Sequence, residues 1–285
     1  MSKKAALITI HGMGKTQEDY PDGFFKVVKK MLGKKYDSLH TDRIYYQKIL
    51  QDNEDAVWKN VMDQVRWLDL REFVLFGFGD AAGLEAKKEY PNSVYTLAQA
   101  EIGKVLLDTY SKIAADAPVF IIAQSLGCHV ASCYFWDAQE HQKNKFVSAG
   151  IWKSNSDLNL YVNNGNELTP AQLSFLAGNR FKYFYTTGCN IPIFVAAHAT
   201  VDILPFKPND SFIWKNYYDK DDVLGWPLAK LSTEYGLVVQ DYAINAGEGP
   251  FGWIGRSWNP MSHTQYWEDD DVLKPLIADL KKYLP

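Results

Sequence analysis

The chain has 285 residues, 47% of them hydrophobic and 22% charged, with a formal net charge of −4. That is ordinary globular composition, and it excludes disorder, collagen and coiled coil as descriptions of the whole chain. The mildly acidic balance argues against a dedicated nucleic-acid binder, whose footprint is a strongly basic domain; the cluster Lys29, Lys30, Lys34 and Lys35 reads as a solvated helix face. Three cysteines, Cys128, Cys133 and Cys189, form no CxxC pair, which suits reduced thiols and a cytoplasmic location. No run approaches the about 20 apolar residues of a membrane helix, so no integral membrane segment is expected. Ser2-Lys3-Lys4 and the apolar run behind it end in His11-Gly12-Met13-Gly14 rather than in a small-residue cleavage site, and so read as a first strand and not as a signal peptide.

In chain order, residues 5–10 form a short apolar run bounded by turn residues, a buried strand. Residues 22–35 carry Phe24, Val27, Val28 and Met31 at helical spacing. A second strand is expected over 43–49. A helix is expected over 52–70, with Val57, Val61, Val65 and Leu68 on its inner side. Another covers 93–115 and ends before Pro118. Residues 119–123 are apolar without alternation, as in a strand covered on both faces. A helix follows over 128–139. Strands are expected at 181–187, broken by Gly188, at 211–218 and at 237–244, with an amphipathic helix over 273–284 closing the chain. Strands alternating with helices imply one α/β domain over 1–285, a mostly parallel central sheet flanked by helices on both faces. Such sheets bind ligands at the carboxyl ends of their strands, so the residues just after each strand are the place to look.

After the first strand comes His11-Gly12-Met13-Gly14-Lys15-Thr16. As a phosphate loop it lacks the first glycine, because position 9 is Thr9. As an oxyanion loop it fits better: acyl transfer builds negative charge on a carbonyl oxygen, and fixed backbone N–H groups stabilise it. A glycine-rich turn without chemistry is the plain alternative. The run over 119–123 leads into Gln124-Ser125-Leu126-Gly127 and a helix, the pattern small-x-Ser-x-Gly. A serine at such a turn projects its hydroxyl above the sheet, and the positions two before and two after must be small. Ala123 and Gly127 meet that demand. The plain alternative is a serine capping a helix.

Together these motifs resemble the α/β-hydrolase superfamily, with Ala123 standing where a glycine is commoner. The resemblance implies a triad in the order nucleophile, acid, base. Ser125 would be the nucleophile, with the N–H groups of Met13 and Leu126 forming the oxyanion hole. The acid would follow a later strand, and Asn216, Tyr218 and Asp222 match a turn of the form Asn-x-Tyr-x-x-x-Asp; Asp222 is the first choice, with Asp221 and Asp219 as alternatives. His263, in a loop before the last helix, would be the base. His129 lies on the nucleophile's own helix and points along it, while His11 belongs to the glycine loop and braces it. His40 and His141 read as surface positions, and His198 has no nucleophile beside it.

The implied activity is hydrolysis of a carboxylic ester, a lipid or another small acyl ester, through a covalent acyl-enzyme. The alternative is a non-catalytic binding or regulatory protein of the same fold. Residues 76–91 and 147–179 are candidates for lid-like insertions. No metal and no cofactor are expected, since neither a metal-ligand spacing nor a dinucleotide motif is present. Oligomeric state and substrate identity are not legible.

Overall fold

A computed structural model describes residues 2–198, 203–245 and 266–285. Its centre is a sheet of six strands: β1 (Ala5–Ile10), β2 (Leu39–Ile44), β3 (Val119–Gln124), β4 (Phe181–Thr187), β5 (Ile213–Asp219) and β6 (Val239–Ile244). They lie in the order β2-β1-β3-β4-β5-β6, and every neighbouring pair is parallel. Parallel strands need crossovers, and helices supply them. In these connections lie α1 (Asp22–Leu32), α2 (Gln51–Val61), α3 (Leu68–Glu85), α4 (Val94–Lys112), α5 (Leu126–Gln142), α6 (Asn155–Val162), α7 (Pro170–Leu176), α8 (Ile191–Val195) and α9 (Thr233–Val238), and α10 (Asp270–Lys281) follows the last strand. The expected α/β architecture is what the chain adopts. No helix among the described residues is long and apolar enough to cross a membrane.

Period-two alternation along the strands builds two cores. From β1, Ala6, Ile8 and Ile10 join Ile121, Ala123, Phe184 and Trp214 in a layer with Ile102 and Leu106 of α4 and Tyr134 of α5. Ala5 and Leu7 face the other way, with Phe120, Ile122, Tyr185 and Tyr217, against Phe24 and Val28 of α1 and Leu273, Leu276 and Ile277 of α10. Covering on both faces is why the central strands read as continuous apolar runs. An ionic cluster around the buried Asp279 pins α10: Asp279 accepts hydrogen bonds from Tyr185 and from Lys215 and Lys282 Nζ, the last two at 2.6 Å. Burial alone would push the Asp279 carboxyl up, but the bonds from Lys215, Lys282 and Tyr185 outweigh it and hold the pKa below its ordinary value.

Two expected elements differ. The second strand lies at Leu39–Ile44, not over 43–49. It is the sheet edge, and its middle residues His40, Thr41, Asp42 and Arg43 are only half-buried, so its polar sequence hides it; the apolar Tyr46 and Ile49 belong to the turn beyond. The helix expected over 52–70 is broken. The α2 segment ends at Val61, and Trp67 takes a positive φ of 64° before α3 begins. The stripe read as its inner side faces out instead, with Val57, Val61 and Leu68 all exposed. The 147–179 stretch is helical, and α6 and α7 pack on α4.

Candidate active site

The chain leaves β1 for β2 on one side and β3 for β4 on the other. Between β1 and β3 the winding therefore reverses, and at such a switch point the loops part to open a crevice at the carboxyl ends. The two segments singled out from sequence, 11–16 and 124–127, emerge at that point.

Ser125 has φ 51° and ψ −122°, a conformation that costs a non-glycine residue about 1–3 kcal/mol. An ordinary N-cap is extended and accepts a hydrogen bond from the first turn of its helix. Ser125 is not extended, and its side chain makes no capping bond. The capping alternative therefore fails. Close packing holds the turn. Ser125 N–H donates to Thr187 O at 2.9 Å. A Cβ on Gly127 would lie 2.3 Å from the His11 carbonyl oxygen, and one on Gly12 would lie 2.9 Å from Ser125 Cβ. The glycines are what allow the loop, the elbow and α5 to meet. Ser125 is 1% exposed, and its Oγ has no hydrogen-bond partner among the described residues. Leu126 opens α5, so its N–H has no intrahelical acceptor, and the helix dipole favours negative charge there.

His11 is buried and stacks on Tyr46, ring centroids 4.1 Å apart. The N–H groups of Tyr46 and Gln47 point at its Nε2, at 3.2 and 3.4 Å. That nitrogen must therefore be the acceptor, and the proton sits on Nδ1, which donates to Gly12 O at 2.7 Å. Burial pushes the His11 pKa down to about 4 against the raising effect of Gly12 O, so the ring is neutral. With Gly12 O turned toward His11, the Met13 N–H across the same trans peptide points the opposite way. The next peptide is fixed as well: Gly14 N–H donates to Asp80 of α3 at 2.7 Å. Met13 thus lies between two clamped peptides, and its side chain packs on Gly77, where a Cβ would come within 2.6 Å of its sulfur. Lys15, which a phosphate loop would aim at its ligand, pairs with Asp55 and Glu72 instead.

The turn after β5 hangs from a buried polar network. Asn216 of β5 accepts from Thr186 Oγ1 at 2.8 Å and donates to Asp241 at 2.8 Å and Trp226 O at 3.0 Å. Beyond it, Asp222 is 7% exposed. Its Oδ1 accepts from Leu224 N–H at 2.9 Å and its Oδ2 from Tyr266 Oη–H at 2.7 Å. Tyr266 Oη in turn accepts from Asp219 N–H at 2.9 Å. Asp221 is exposed, and Asp219 Oδ1 is engaged by Asp221 N–H. Next to Tyr266, Trp267 Nε1 donates to Thr187 Oγ1, which donates to Ala123 O. Thr187 thus links the Ser125 elbow to the segment that holds Asp222. His263 lies outside the described residues.

Of the remaining histidines, His129 stacks on Phe194 and lies 3.6 Å from Glu85, His40 lies beside Asp42 and His141 beside Asn155. His198 is exposed. His40, Asp42 and Asp108 could bring ligand atoms within 4.8 Å of one another, but Lys112 already pairs with Asp108. Sequence reasoning missed Asp80 and Tyr266. The signal for Asp80 was the glycine-rich core of α3: Gly77 and Gly79 weaken a helix, and each is needed because Met13 and Glu54 approach there.

Two outcomes follow from this geometry. Ser125→Gly relieves the backbone and raises stability by about 1 kcal/mol; a denaturation midpoint unchanged or lowered would contradict the strain. His11 is buried neutral, and the unfolded histidine protonates near 6.5, so its contribution is full above that pH and is lost as pH falls toward 4. About 3 kcal/mol of acid destabilisation follows, and His11→Asn should remove it from the pH dependence of the melting temperature.

No family model, curated protein or solved structure matches this chain; what the site can do rests on the geometry of Ser125, the loop at Gly12 to Gly14 and the turn at Asp222.

Proposed function

We propose that the protein is a serine ester hydrolase of the α/β-hydrolase type. The observation that carries this reading is Ser125: a buried serine at positive φ between a parallel strand and a helix, its Oγ without a partner among the described residues and close to a clamped glycine loop. Strained backbone held by over-determined packing is where reactive groups are kept.

In the proposed reaction Ser125 Oγ attacks the carbonyl carbon of an ester as His263 takes its proton. The C=O electrons move to oxygen, and the N–H groups of Met13 and Leu126 stabilise the oxyanion. Collapse expels the alcohol, protonated by His263, and leaves an acyl group on Ser125. Water, deprotonated by the same histidine, then releases the acid. Asp222 holds the histidine tautomer and stabilises the imidazolium, with Tyr266 fixing the carboxylate. This chemistry uses no cofactor and no metal. The substrate class is a carboxylic ester, a lipid or another small acyl ester. The three unpaired cysteines suit a reducing compartment, so we place the enzyme in the cytoplasm.

Hydrolysis of a panel of p-nitrophenyl esters tests this reading. Ser125→Ala and His263→Ala should each lower kcat by about 10³-fold or more, and Asp222→Asn by at least about 10²-fold. Full activity in Ser125→Ala would contradict the reading. A folded chain that binds the esters without turning them over would favour the non-catalytic alternative.

A further inference from the structure

We propose that Asp80, supported by Gln47 and Glu54, is a positioning residue that holds the glycine loop in its oxyanion-binding conformation, and that it does so only while the two carboxyls share a proton. The inference rests on the serine-hydrolase reading and adds a control on the same site.

All three side chains are buried. Asp80 Oδ2 accepts Gly14 N–H at 2.7 Å. Gln47 Nε2 reaches Asp80 Oδ1 and Glu54 Oε2, both at 3.1 Å. An amide has two hydrogens, one for each carboxyl, so Gln47 joins the pair. It brings no charge. Lys15, on the glycine loop itself, is turned outward onto Asp55 and Glu72. Two buried carboxylates facing each other without a cation cannot both ionise cheaply. Burial pushes both pKa values up, and the Asp80 charge raises Glu54 further. Donors from Gly14 and Gln47 favour ionised Asp80, so Asp80 carries the charge and Glu54 the proton.

The other groups facing the pair do not replace that proton. Asp55 adds negative charge beside Glu54. The Tyr46 phenol, pushed up by burial and then by Asp80, stays neutral. His11 is neutral and occupied by backbone amides.

The Gly14 N–H belongs to the peptide that follows Met13. While Asp80 holds it, that peptide cannot flip, and the Met13 carbonyl stays turned away from Asp80. When Glu54 loses its proton, two negative charges face each other in a dry site. Asp80 and Glu54 then part, the Gly14 clamp is released, and the loop loses its fixed donors. A buried acidic pair is an expensive way to fasten a helix to a loop that apolar side chains would fasten without charge; a clamp that opens as pH rises gives the pair a function.

The experiment is the rate of Ser125 modification by a fluorophosphonate, a probe that needs the nucleophile and the oxyanion donors but little substrate recognition. It is run on the full chain at about pH 7 and about pH 9.5, with melting temperatures alongside. The wild-type rate should fall at least about threefold between the two, and Asp80→Ala should be at least about tenfold slower at the lower pH. Glu54→Gln, which keeps the shape and removes the titration, should lose the alkaline fall. Asp80→Ala reacting within about twofold of wild type, or Glu54→Gln keeping the wild-type fall, would overturn the clamp. If Asp80→Ala does not fold, Glu54→Gln decides alone. A folded wild-type chain that is unmodified at both pH values would overturn the hydrolase reading itself, a result distinct from a clamp that fails while Ser125 still reacts.

Discussion

The structure turns on the backbone of Ser125. A side-chain-bearing residue at φ 51° is disfavoured, and it persists only if its surroundings leave it no alternative. Those surroundings are specific. The elbow amide is tied to β4 through Thr187, Gly127 passes against the His11 carbonyl, and Gly12 passes against Ser125 itself. Each approach is possible only without a Cβ. The parallel sheet provides the rigid frame: β1 and β3 are neighbours, paired from Ala6 with Val119 to Ile10 with Ala123, so their two loops must leave side by side. The glycine loop is therefore placed by register and packing together.

Around the elbow several buried polar groups are paired. His11 spends both ring nitrogens on backbone groups. Asn216 and Asp241 bind the turn after β5, with Asp241 also accepting the N–H groups of Leu228 and Ala229. Tyr266 joins the amide of Asp219 to the carboxylate of Asp222. Satisfied networks of this kind rigidify a site, whereas half-satisfied ones destabilise it. Ser125 Oγ, like Gln47 Oε1, Glu54 Oε1 and Asn190 Oδ1, is buried and without a hydrogen-bond partner among the described residues. What sets Ser125 apart from those atoms is its place: the hydroxyl sits at a strained turn at the carboxyl end of a parallel strand, where such sheets bind ligands.

Local pattern made much of this legible from sequence. The first, third and fourth strands and the helix before Pro118 stand close to where their apolar runs and breaks place them, because buried parallel strands advertise themselves as continuous apolar segments. The glycine loop and the serine elbow were visible because steric demands fix residue types at short spacing. What stayed hidden depends on partners far apart in the chain. Asp80 meets Gly14 across 66 residues and Tyr266 meets Asp222 across 44; neither spacing carries a local signal. The edge strand is hard to place from sequence because its four middle residues are polar and only half-buried. The stripe at Val57, Val61 and Leu68 faces out; periodicity shows that a face is apolar but not which way it turns.

The central claim is that Ser125 forms a covalent acyl intermediate. Its most direct test is an acid quench during turnover of an activated ester, followed by peptide mass spectrometry. The account predicts an acyl mass on the peptide containing Ser125, with one equivalent of alcohol released in a burst before the steady state. Turnover without any acylated peptide, or with the acyl group on another residue, would contradict it.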